Sequence, residues 1–80
     1  MTILNSPKRY LKKLPLPEQE RIVRALKILL ADRQMVDIKP LKGRPEWRLR
    51  VGDYRILFLI DDENKVYIVT KISPRGDAYK

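Results

Sequence analysis

Apolar and polar residues change period once along this chain. In the first half they recur at helical spacing. Ser6 and Pro7 read as a helix opening, with Ser6 as N-cap and Pro7 at the first helical position. Tyr10, Leu11 and Leu14 share one face, and Pro15 ends the helix. Pro17, Glu18 and Glu20 open a second helix, in which early carboxylates suit the positive end of the dipole. Ile22, Val23, Leu26, Leu29 and Leu30 then form its apolar face to about Asp32, with Arg21, Arg24 and Lys27 largely opposite. Thr2-Ile3-Leu4 suits a short strand before both.

The second half alternates with period two. Trp47 to Val51 is a half-buried strand, Tyr54 to Ile60 a second and Val66 to Ile72 a third, with Asp61 to Lys65 a polar loop. Gly52-Asp53 fits a two-residue hairpin turn with glycine at positive φ. The pattern predicts one α+β domain over residues 1–80, ordered β-α-α-β-β-β, with two N-terminal helices packed on an antiparallel sheet.

That turn fixes a register. Val51 is expected opposite Tyr54, Arg50 opposite Arg55, Leu49 opposite Ile56 and Trp47 opposite Phe58. Pairing Ile60 with Val66 then sets Phe58 beside Ile68 and Arg55 beside Lys71. Trp47, Leu49, Val51, Tyr54, Ile56, Phe58, Ile60, Val66, Ile68 and Ile72 fall on the core face. Arg48, Arg50, Arg55 and Lys71 fall on the other face, beside Leu57, Leu59, Tyr67 and Val69. Like charges opposite each other cost a sheet some tenths of a kcal/mol per pair. A row of them points to an anion that relieves it, and guanidinium forks suit phosphate oxygens.

Composition sharpens this reading. Eighteen Lys and Arg against ten Asp and Glu give a formal charge of +8 on 80 residues. Such a density favours polyanionic partners, nucleic acid first. There is no cysteine and no histidine, so disulfides, thiolate metal sites and imidazole acid–base chemistry are excluded. Asp61, Asp62 and Glu63 read as a solvated loop rather than a metal site. No apolar run is long enough to span a membrane and no signal segment is visible, so a cytoplasmic location is expected.

Pro40-Leu41-Lys42-Gly43, followed by Trp47-Arg48-Leu49-Arg50-Val51-Gly52-Asp53-Tyr54-Arg55, resembles the central motif of RelE/ParE toxins. Ser6-Pro7, the Leu14-Pro15 break and the closing Arg75-Gly76-Asp77-Ala78-Tyr79 fall where that family has them. The resemblance implies the toxin of a type II toxin–antitoxin pair, which in RelE-type members cleaves mRNA in the ribosomal A site without a cofactor or metal. It implies Arg55, Arg75 and Tyr79 as catalytic residues and Arg48 and Arg50 as RNA-binding residues, to which the register adds Lys71. Many members carry histidine immediately before the late arginine, whereas Ser73-Pro74 stands here, so proton transfer falls to Tyr79, a lysine, a carboxylate or water. The expected protein partner is an acidic, amphipathic antitoxin covering Leu57, Leu59 and Val69. Two other functions share the fold: a ParE-like poison of DNA gyrase, and an inactive member that only binds antitoxin or RNA.

Overall fold

A computed structural model describes residues 1–64 and 66–74. Strand β1 (Thr2–Ile3) leads into helix α1 (Asn5–Lys13), and helix α2 (Leu16–Ala31) follows. A 3-10 turn (Arg33–Met35) precedes strand β2 (Ile38–Pro40). Strands β3 (Trp47–Val51), β4 (Tyr54–Asp61) and β5 (Val66–Pro74) complete the described chain. The five strands form one sheet in the order β1-β5-β4-β3-β2.

The α+β class and the order of the main elements match the sequence reading. Two details differ. The sheet is mixed, because β1 runs parallel to β5, with Thr2 paired to Ile68 and Ile3 to Val69. A further strand, β2, pairs antiparallel with β3 at the opposite edge. Its three residues include Pro40 and are too short to show an alternation.

Helix α1 starts one residue before Ser6, with Leu4 as an N-cap that makes no side-chain bond. Pro7 is buried inside the first turn, where a missing N–H is harmless because those groups have no intrahelical partner. The break at Leu14-Pro15 is held by Gln19 of α2, whose side-chain amide donates to the Leu14 carbonyl at 2.7 Å and the Lys12 carbonyl at 3.3 Å. Carbonyls left over at the end of α1 are thereby satisfied by the start of α2.

Both helices cover one sheet face. Leu11, Ile22, Leu26 and Leu29 meet Leu49, Val51, Ile56, Phe58, Val69 and Ile72 in the core. Trp47, Tyr54, Ile60 and Tyr67 pack against it, with Phe58 and Tyr67 edge-to-face at 5.7 Å between centroids. Of the expected helical core residues, Val23 and Leu30 are instead exposed, at 36% and 50%.

Candidate functional site

The β3–β4 hairpin has the expected register throughout: Val51 with Tyr54, Arg50 with Arg55, Leu49 with Ile56 and Trp47 with Phe58. Gly52 supplies the positive φ, +55°. The β4–β5 register does not follow expectation. Asp61 pairs with Val66, one residue along from the expected Ile60. Asp61 closes that loop by accepting from the Asn64 backbone N–H at 3.3 Å and its side-chain amide at 3.0 Å. A second shift, a bulge, lies between Leu57 and Phe58: Phe58 pairs with Val69 but Leu57 with Lys71, leaving Thr70 without a partner position. The Thr70 hydroxyl donates to the Leu57 carbonyl at 3.3 Å across the bulge.

These shifts correct several assignments. Val69 is a core residue with no exposure, not part of an outer patch. Tyr67 also turns to the core, and Val66 and Ile68 move to the outer face. Leu57 is on the outer face but is 2% exposed, and Leu59 is half-buried. Lys71 stays outward and exposed, but it lies opposite Leu57, and Ser73 lies opposite Arg55.

The outer face therefore carries two rows across four strands. One row is Lys39, Arg48, Leu57 and Lys71. The other is Arg50, Arg55 and Ser73, extended past β2 by Asp37, whose carbonyl accepts the Arg50 N–H at 3.1 Å. Five cations thus converge on this face. Sequence reasoning missed Lys39, because without β2 nothing placed it beside Arg48.

The arginines are not simple surface groups. Arg48 and Arg55 are 3% and 6% exposed, so Arg55 is not the solvent-facing residue that its place on the outer face suggests. Arg48 Nη2 lies 3.4 Å from Asp37 Oδ1, and Arg50 Nε lies 3.9 Å from Oδ2. Among the described residues, Arg48 Nη1 and the Ser73 hydroxyl are buried with no hydrogen-bond partner. A buried donor left so is costly unless a ligand or water completes it. An oxyanion seated among these groups would supply the missing acceptor. Arg75 and Tyr79, the other two expected catalytic residues, lie outside the described residues.

A second surface lies on α2. Leu16, Val23 and Leu30 recur every seven residues and are 69%, 36% and 50% exposed. Leu16 and Val23 line a shallow groove of about 400 Å³ with Gln19, Glu20, Arg24 and Lys27. Among the described residues no three His, Cys, Asp or Glu side chains cluster as a metal site would require, and no helix is long and apolar enough to cross a membrane.

Two helices on one side of a small mixed sheet, with cations gathered on the other, define a RelE-like fold. Residues 4–79 match the family of the ParE toxin of type II toxin–antitoxin system, parDE. The chain belongs to this RelE/ParE family of type II toxins. The RelE1 toxin candidate of Methanocaldococcus jannaschii is 35% identical, over 88% of this chain and 82% of that protein. Among solved structures, the fold matches a RelB–RelE antitoxin–toxin complex from Methanococcus jannaschii with a TM-score of 0.79 at 22% identity, over 100% of this chain and 96% of that one. The archaeal RelE–RelB complex of Pyrococcus horikoshii OT3 matches at 0.79 and 28% identity, over 95% and 93%. The RelBE2 toxin–antitoxin complex of Mycobacterium tuberculosis matches at 0.78 and 29% identity, over 91% and 93%.

Proposed function

We propose that this toxin inhibits translation by cutting mRNA in the ribosomal A site. The observation that carries the reading is the outer sheet face, which Arg48, Arg50, Arg55 and Lys71 share, and where Arg48 Nη1 and the Ser73 hydroxyl are buried without a hydrogen-bond partner among the described residues. Cleavage without a metal needs the RNA 2′-oxygen to attack the adjacent phosphorus. A 2′,3′-cyclic phosphate forms, the bond to the 5′-oxygen breaks, the 2′-hydroxyl proton leaves to a base and the 5′-oxygen takes up a proton. Fixed cations aimed at the phosphorane oxygens stabilise the charge that develops, and holding the nucleotide in line supplies much of the rest. In this scheme Arg55 and Arg75 serve the scissile phosphate, Arg48, Arg50 and Lys71 the backbone, and Tyr79 stacks a base or moves a proton.

An acidic, amphipathic antitoxin is the proposed protein partner. The complexes of the RelE relatives with RelB support it. The burial of two of its three expected contacts shifts the proposed docking surface. Val69 is core and Leu57 is buried, so of the expected three only Leu59 is partly accessible. The α2 groove, with Leu16 and Val23 beside Arg24 and Lys27, offers apolar area and cations to an acidic helix.

Purified toxin added to a cell-free translation system, read by toeprinting, tests the proposal. New 5′ ends at A-site codons are expected, and loss of these ends in Arg50→Ala and Arg75→Ala ties them to the site. Because the matching family is that of ParE, gyrase poisoning is the alternative. Intact mRNA together with blocked DNA supercoiling would establish it and overturn the nuclease reading.

A further inference from the structure

We infer that Asp37 is a positioning residue of the RNA face: a fixed anion that holds Arg48 in its buried place and determines which edge of Arg50 a phosphate can reach. The inference rests on the reading that this face binds RNA.

Asp37 stands just before β2, opposite Arg50, and its carbonyl accepts the Arg50 N–H. Position and charge are therefore set together by the sheet. Its carboxylate spans two arginines on one side of β3, at 3.4 Å from Arg48 Nη2 and 3.9 Å from Arg50 Nε. Among the described residues it is the only acid in the two rows, whose charged members are otherwise Lys39, Arg48, Arg50, Arg55 and Lys71. Arg48 has its side chain 4% exposed, and among the described residues Asp37 is the one carboxylate within 4 Å of it. Taking a partner from a buried ion leaves an uncompensated charge, a large penalty.

The contact with Arg50 has a different use. Arg50 is directly opposite Arg55, and nothing in the strand pairing stops the two guanidinium groups from splaying apart. Drawing Arg50 by its Nε leaves both of its Nη groups for an incoming phosphate, in the fork geometry that binds two oxygens. Asp37 is itself half-exposed, and its negative charge keeps it from being a ligand for the phosphate. Its presence lowers total attraction for RNA while improving how the remaining cations are held.

That opposition gives a test which a simple structural carboxylate would fail. Asp37→Asn keeps the shape and removes the charge. With the full chain, binding to a short single-stranded oligoribonucleotide is measured at several salt concentrations, beside single-turnover cleavage on ribosomes and a thermal melt. The variant should bind the oligonucleotide about two- to fivefold more tightly, because an exposed anion is gone. The slope of log affinity against log salt should steepen by roughly 0.7, the release expected for one more phosphate contact. The maximal cleavage rate should fall roughly ten- to a hundredfold, the scale of a substrate held slightly out of line by misplaced backbone-binding cations. Folded Asp37→Asn protein with unchanged slope and cleavage rate would overturn the inference. So would losses of binding and cleavage that merely follow a lowered melting temperature. Wild-type protein that binds no oligonucleotide would instead overturn the RNA reading itself.

Discussion

Phe58 and Val69 are paired across β4 and β5 immediately beyond the Thr70 bulge, and neither side chain has any solvent exposure. Val69 thus contributes to the core rather than to a docking patch. Val69→Ala should destabilise the domain by about 2 kcal/mol, the transfer loss of two methyl-sized groups plus a small cavity. For a chain of this size that is a fall in Tm of roughly 10 °C. The affinity of the folded variant for its antitoxin should be unchanged. A calorimetric melt and a titration of the same sample check both.

Arg50 and Arg55 should separate stability from activity, although they are direct neighbours. The Arg50 side chain is 40% exposed, so Arg50→Ala should move stability by less than about 0.5 kcal/mol while cleavage drops sharply. Arg55 is 6% exposed, and Arg55→Ala removes a packed stem as well as a charge. It should cost roughly 1–3 kcal/mol and activity together. Denaturant melts run beside toeprinting distinguish the two.

The β4–β5 loop has its own pH signature. The Asn64 side-chain amide and the Asn64 backbone N–H hold the Asp61 carboxyl below the ordinary carboxylate range. A lowered folded pKa means stability that is present above the unfolded value, about 3.9, and is lost as pH falls through the folded value. Asn64→Ala removes the larger of the two hydrogen bonds. Carbon-detected NMR titration should then place Asp61 higher, nearer the ordinary range, and the acid-side loss of stability contributed by this loop should shrink.

Gly52→Ala should cost roughly 1–2 kcal/mol, because φ of +55° crowds any Cβ against the backbone. An added Cβ would also come within 2.9 Å of Arg21 Nη1, a side-chain end that can swing away. At Gly43, φ is +74° with nothing within 4 Å, so Gly43→Ala should carry the backbone strain alone. Equilibrium unfolding of both variants should show Gly52→Ala to be at least as damaging, with unchanged denaturant slopes.

The helices, the hairpin turn and the β3–β4 register were legible because each has an unambiguous mark. Proline, the Gly-Asp turn and a strict polar–apolar alternation leave one solution. Strand β5 has no such mark. Tyr67 and Val69 are as apolar as Val66 and Ile68, so either parity could face the core. What decides it is a threonine bulge and an Asp61–Asn64 turn, neither of which changes the hydrophobic pattern. The burial of Arg48 and Arg55 was likewise invisible, since charge predicts exposure unless a partner such as Asp37 is already placed. Strand β2, with Lys39 and its neighbour Asp37, is too short to announce itself. The converging arginines of β3 and β4 were therefore foreseen in identity, but not their depth or their counter-ion.

The parallel pairing of β1 with β5 joins Thr2 and Ile3 to Ile68 and Val69, far along the chain. Thr2 and Ile3 have no ladder partner until Ile68 and Val69 have been synthesised, and β4 lacks one neighbour until then as well. A nascent chain can form α1 and α2 early, but closing a loop of this span comes late and slowly. The outer face needs Lys71 and Ser73 of the same strand to complete its two rows. A ribosome making this chain thus holds an open sheet until β5 emerges, and the two rows of the outer face are completed in the same step that closes the core.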